Sequence, residues 1–169
     1  TAGATVTITG ITPGTGTVYS TATITGTCSS ATSGTMTIDF GTVTVGTVAV
    51  TGTGSFTCVF TVPLHVYGTE TITATYDGAD GSATTTFFVM PQVINVSPIT
   101  NVVGTIVTVS GTGYAASDTI TIAFGTNADI QQVTADASGS FTTTFTVNTQ
   151  KYGTTTISAT GASSTTATA

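Results

Sequence analysis

Apolar side chains alternate with threonine along most of this chain. Val6 and Ile8 are spaced by Thr5, Thr7 and Thr9, and Phe56, Cys58, Phe60 and Val62 stand two residues apart. A period of two puts alternate side chains on opposite faces of an extended strand, so the pattern predicts half-buried β-strands with an outer face of threonine. In the first half, strands are expected at Ala4 to Ile11, Thr17 to Gly26, Thr35 to Phe40, Val43 to Thr51, Ser55 to Val62, Thr69 to Tyr76 and Ala83 to Met90. In the second they are expected at Gln92 to Ser97, Thr105 to Gly111, Thr119 to Phe124, Ile130 to Ala135, Ser140 to Val147, Thr154 to Thr160 and, weakly, Ser164 to Thr168. Turn signals such as Asp77-Gly78, Asp80-Gly81 and Ser138-Gly139 separate them, and helical periodicity is absent throughout.

The pattern is written twice. GSFTCVFTV followed by YGTETITAT returns as GSFTTTFTV followed by YGTTTISAT, with Gly54, Tyr67 and Ala74 answered by Gly139, Tyr152 and Ala159 at a constant offset of 85 residues. Upstream, TITGT pairs with TVSGT, and TIDFGT with TIAFGT at one residue less. Seven short strands in about 85 residues predict an immunoglobulin-like β-sandwich. The expected fold is therefore all-β, with two tandem immunoglobulin-like sandwiches at residues 1–90 and 91–169. A domain of this size buries only ~60% of its unfolded surface, so each core should be small. Pro91 stiffens the short connection and predicts a semi-rigid rod. Tyr67 and Tyr152, just before the sixth strand, stand where such sandwiches often carry a tyrosine tying the corner to nearby backbone.

Composition narrows the function. There are 48 Thr, one Lys, no Arg, one His, no Trp and seven acids, for a net charge of −6. A phosphate backbone is bound by Lys and Arg, so nucleic acid is excluded as a partner. No apolar run approaches the ~20 residues of a membrane-spanning helix. The start at Thr1 suggests a processed, secreted product. Only 5% of residues are charged, against ~25–35% on typical small-domain surfaces. Either threonine is present for its β-propensity and its wet hydroxyl, or the outer faces are packed in an assembly or covered by O-linked sugar.

Cys28 and Cys58 have no cysteine counterparts in the second copy, so the pair is present or absent together. That predicts a disulfide closing a loop of about 30 residues, worth roughly 3.5 kcal/mol, and with it an oxidising compartment. Two buried thiols and metal ligation are the alternatives, the latter without further ligands to complete a zinc site. Asn95-Val96-Ser97 is an N-glycosylation acceptor pattern. Asp77 and Asp80 could offer oxygen ligands to calcium, but turn chemistry explains them. Lys151 and His65 fall in matching loops, and neither pairs with a nucleophile or a core carboxylate; no cofactor, metal site or catalytic constellation is expected. A sugar-binding platform would have to use Tyr19, Tyr76 or Tyr114.

GTIVTVSGTGY, ITIAFGT, GSFTTTFTV and YGTTTISAT resemble the Ig-like repeats found in tandem in archaeal and bacterial cell-surface proteins. The resemblance implies a fold and an extracellular or cell-surface location, with no catalytic residue. In its threonine-rich, charge-poor style the chain also resembles subunits of archaeal extracellular filaments, the threads and bundling pili. There, subunits join by donor-strand complementation.

The ends of the copies are unequal. Copy one closes with SATTTFFVM, whereas copy two closes with SSTTATA and has only Ala167 at an equivalent core position. Losing Phe and Val there costs ~2–5 kcal/mol each, so the second sandwich should expose an open acceptor edge. The N-terminal strand, with Ala4, Val6 and Ile8 facing one way and no charge before Asp39, is the expected donor to a neighbouring copy. The functional expectation is a self-polymerising structural subunit of an extracellular filament. The alternatives are a spacer pair of a larger surface or S-layer protein and a carbohydrate-binding adhesin module.

Overall fold

The computed structural model describes residues 4–29, 33–51, 54–78, 81–162 and 166–169. The chain divides into two compact units, Thr1–Met90 and Pro91–Ala169. Each is an all-β sandwich of the immunoglobulin type, and no helix occurs among the described residues.

In unit 1 the strands are β1 (Thr5–Thr12), β2 (Thr15–Gly16), β3 (Thr21–Ser29), β4 (Ser33–Phe40), β5 (Val43–Thr51), β6 (Gly54–Thr61), β7 (Gly68–Tyr76) and β8 (Gly81–Val89). They form one sheet in the order β1-β3-β6 and a second in the order β2-β8-β7-β4-β5. Unit 2 has β9 (Val93–Ser97), β10 (Ile106–Thr112), β11 (Thr119–Phe124), β12 (Asn127–Thr134), β13 (Phe141–Thr146), β14 (Ile157–Gly161) and β15 (Thr166–Thr168). Its sheets run β9-β10-β13 and β12-β11-β14-β15. The orders are the same in both units except at β2, which has no counterpart in unit 2.

Threonine alternation produces these layers directly. Along β6, Phe56, Cys58 and Phe60 point inward and are buried while their neighbours are exposed. Ile24, Met36, Ile38, Phe40, Ile72 and Phe87 complete the middle of the unit 1 core, with Phe40 edge-on to Phe87 at a ring separation of 5.9 Å. Unit 2 uses the equivalent Val109, Ile120, Ile122, Phe124, Phe145 and Ile157. β1 is packed closely against β8: a Cβ on Gly81 would stand 2.6 Å from the Ala4 carbonyl oxygen, so glycine lets the strands approach.

One element escaped the alternation. The two-residue β2 follows the cis Thr12–Pro13 peptide and pairs in parallel with the end of β8, Thr15 with Phe88 and Gly16 with Val89. The chain thereby leaves the β1 sheet and seals the far edge of the other. The cis Ser97–Pro98 peptide stands at the same place in unit 2, but no strand forms after it.

Candidate functional site

The two units differ most at the closing edge. In unit 1, β8 pairs with β7 along its whole length, from Tyr76–Gly81 to Gly68–Val89. Phe87 and Val89 enter the core while Phe88 faces outward. The backbone N–H groups of Phe88 and Met90 donate to the carbonyls of Gly14 and Gly16 on the other flank. The end of β8 is thus held on both sides.

In unit 2, β15 pairs with β14 only from Thr160–Thr166 to Ser158–Thr168, and Ile157 and Ala169 exchange two backbone hydrogen bonds of 3.0 Å. The offset of 85 makes residues 153–156 the counterparts of Gly68–Thr71, yet they have no strand partner. The sequence pattern predicts a strand from Thr154, whereas β14 starts at Ile157. An apolar groove of about 950 Å³ opens there. Its floor includes Val107, Phe124, Val147 and Ile157, and Ile99, Val102 and Val103 line it from the segment after Pro98. Phe124 and Ile157 retain 8% and 7% of their exposure, whereas Phe40 and Ile72, their counterparts under Phe87, retain 1% and 0%. Ile99 is 90% exposed.

The sequence-predicted residues fall as follows. Ala167 lies on the inner face of β15, buried and opposite Ala159, at the margin of this edge. Val6 and Ile8 lie on β1 and Ala4 just before it; β1 pairs with β3 of its own unit, Val6 opposite Cys28, and all three residues pack on the unit 1 core. Asn95 is exposed on β9, with its neighbour Ile94 turned inward.

The disulfide is corrected. Cys28 and Cys58 share the inner face of adjacent strands, but Cys28 lies opposite Gly54 and Cys58 opposite Ile24. Four residues of register separate them by about 13 Å along the strands, beyond the ~7 Å limit between bridged Cα atoms. Both are buried free thiols whose pKa is raised by desolvation, which leaves them unreactive. The argument for an oxidising compartment falls with the bridge.

The corner tyrosine is corrected too. Tyr67 and Tyr152 are exposed, each followed by a glycine at positive φ where the chain turns into the next strand. The tie is made by Tyr114, fully buried after β10, whose hydroxyl donates to the Ala159 carbonyl at 3.0 Å. Burial pushes its pKa up to about 12, opposed by a hydrogen bond with the Ala167 backbone. Gly113-Tyr114 was the available signal, since a glycine at φ 90° redirects the chain and lets the ring turn inward. Tyr76 is buried as well, and its hydroxyl has no partner among the described residues. Of the three tyrosines considered as platforms, only Tyr19 is exposed.

His65 is not a plain surface residue. Its ring packs edge-on against Phe40 at 5.6 Å, and its Nε2 lies 2.8 Å from Glu70 Oε2. Lys151 is exposed and lines the groove. The Asp77 carboxylate accepts a hydrogen bond from the Thr35 N–H, in keeping with turn chemistry; Asp80 lies outside the described residues. Among those residues there is no group of three metal-ligating side chains, and no helix is long and apolar enough to cross a membrane.

No family model and no curated protein sequence matches the chain. Among solved structures it is similar to a biofilm-associated protein BSP domain, at 20% identity and a TM-score of 0.32 over 96% of this chain and 27% of that one. It is similar to the Yersinia pseudotuberculosis adhesin InvE at 16% identity and a TM-score of 0.42, over 97% of this chain and 57% of that one. It is also similar to red sea bream transglutaminase at 11% identity and a TM-score of 0.41, over 100% of this chain and 31% of that one. The chain spans less than two thirds of each. Likeness at this level reaches adhesin and enzyme alike and carries no functional assignment.

Proposed function

We propose that the chain is a structural subunit of an extracellular, cell-surface assembly, its copies joined by addition of the N-terminal strand of one to a sheet edge of the next. The observation behind this reading is a surface with 48 Thr and only 5% charged residues, carried by two tandem sandwiches. The charge-poor threonine surface suits a packed or sugar-covered exterior, and the exposed Asn95 would carry glycan. In this reading the N-terminal strand of the next copy is the donor. Because Val6 is already buried in its own unit, donation would be an exchange that empties one site as it fills another. The same observation favours a second reading, a spacer pair within a larger surface protein, in which β1 stays at home.

Electron microscopy of the full chain, with and without excess synthetic peptide of residues 1–9, separates the two. Filaments that shorten as peptide is added support donation. Filaments of unchanged length remove the N-terminal strand as donor, and absence of any filament leaves the spacer reading. A mass change on Asn95→Gln in material from the native source tests the glycan.

A further inference from the structure

We infer that His65 is a pH-operated strap on the loop between β6 and β7 of unit 1: doubly protonated, it fastens the loop to β7, and loss of one ring proton releases the backbone at Val66 and Tyr67. The device lies within one unit and needs no partner chain.

Both ring nitrogens face oxygen. Nδ1 lies 2.7 Å from the Val66 carbonyl oxygen, and Nε2 lies 2.8 Å from Glu70 Oε2. A carbonyl and an ionised carboxylate only accept hydrogen bonds, and a neutral imidazole has a single N–H to give. The imidazolium alone satisfies both contacts. When a proton leaves for water, the remaining N–H stays with the carboxylate, the stronger acceptor, and the bare Nδ1 lone pair is left against the Val66 oxygen. That peptide must turn away, and with it the side chains of Val66 and Tyr67, which are 76% and 71% exposed. Histidine is the side chain that changes charge between pH 5 and pH 8. The strap is therefore closed at the acid side of that window and open at the alkaline side.

The surroundings hold both partners in place. Phe40 of β4 meets the His65 ring edge-on, with centroids 5.6 Å apart. Glu70, at the start of β7, is anchored in turn, because its Oε1 accepts from the Thr71 N–H at 2.8 Å. Its carboxyl group lies against the turn after β4, where a Cβ on Gly41 would stand 3.1 Å from it. Glu70 is the charged group that faces the ring. Asp39, next to Phe40 on β4, lies on the opposite face of its sheet and accepts from the Thr44 hydroxyl at 2.6 Å.

Unit 2 fastens the matching loop without a titrating group. At the offset of 85, Gln150 takes the place of His65 and Thr155 that of Glu70. The Gln150 amide donates to the Phe124 carbonyl at 3.3 Å and to Asn148 Oδ1 at 2.7 Å, and its oxygen accepts from the Thr126 N–H at 3.4 Å. An amide offers a donor and an acceptor at every pH. The duplication thus pairs a loop that responds to pH with one that does not.

The test is nuclear magnetic resonance of the isotope-labelled full chain at pH 5 and pH 8. The nitrogen shifts of His65 should show two ring N–H groups at the lower pH and one at the higher. Amide hydrogen exchange at Val66 to Gly68, taken relative to a His65→Gln chain at the same pH, should quicken by about fivefold between the two. Exchange at Lys151 to Gly153, taken the same way, should not change. In Glu70→Gln the ring should still titrate while the loop keeps one exchange rate, because an amide turns its oxygen or its N–H groups to suit either form of the ring. A ring that titrates beneath an unchanged loop overturns the strap, and so does equal quickening in Glu70→Gln or in the unit 2 loop. A ring that holds one protonation state throughout overturns its operation by pH.

Discussion

Unit 1 and unit 2 share sheet order and most core positions, yet they differ in the segment that follows their first strand. After the cis Thr12–Pro13 peptide unit 1 forms the two-residue β2, which pairs with Phe88 and Val89, whereas the segment after the cis Ser97–Pro98 peptide of unit 2 forms no strand.

A second contrast lies at the other end of the sandwich. Unit 1 fills that end with Tyr76 from β7, and unit 2 with Tyr114, while Gly161 takes the place of Tyr76. The void is filled from opposite sides. Among the described residues only Tyr114 finds a partner for its hydroxyl.

The largest effect should come from Phe87→Ala. Removing a fully buried aromatic costs about 3–5 kcal/mol, so unit 1 should melt early and expose the floor under Phe40; two transitions in calorimetry would show this, and an unmoved unit 1 transition would break the comparison. Tyr114→Phe should cost unit 2 about 1 kcal/mol through the lost hydrogen bond. It should also remove an alkaline instability. With a folded pKa raised to about 12 above an ordinary value near 10, the unfolded state sheds its proton first, so the stability this group contributes is complete below pH 10 and is lost as pH rises towards 12. Chemical denaturation at pH 8 and pH 11 measures both effects. Tyr76→Phe should do the reverse and leave unit 1 unchanged or more stable by up to about 1 kcal/mol, because it removes a buried hydroxyl that has no partner among the described residues. The smallest effect is that of a reductant: unit 1 should melt at the same temperature with and without it, and thiol titration after denaturation should count two per chain.

Most of the fold was legible because threonine marks one face of nearly every strand. The comparison of SATTTFFVM with SSTTATA went astray: Ala167, opposite Ala159, stands where Ala83 stands opposite Ala74, and not in the place of Phe87 or Val89. Register was not legible. The alternation puts Cys28 and Cys58 on the inner face correctly, but a period of two says nothing about how far one strand slides along its neighbour, and that offset decides the bridge. The tyrosines failed for a related reason: position before a strand does not fix whether a ring turns in or out, which is set at Gly68, Gly113 and Gly153 by backbone angles a sequence does not display. β2 is too short to carry a pattern.

Lys151 is the chain's single Lys or Arg, and it stands exposed at the groove. Trypsin can therefore cut at one peptide bond only, between Lys151 and Tyr152, on the threshold of residues 153–156. The molecule carries its own label-free gauge of that loop: anything packed over it should slow the cut, and a denaturing gel of a timed digest would show how much of the chain has been divided in two.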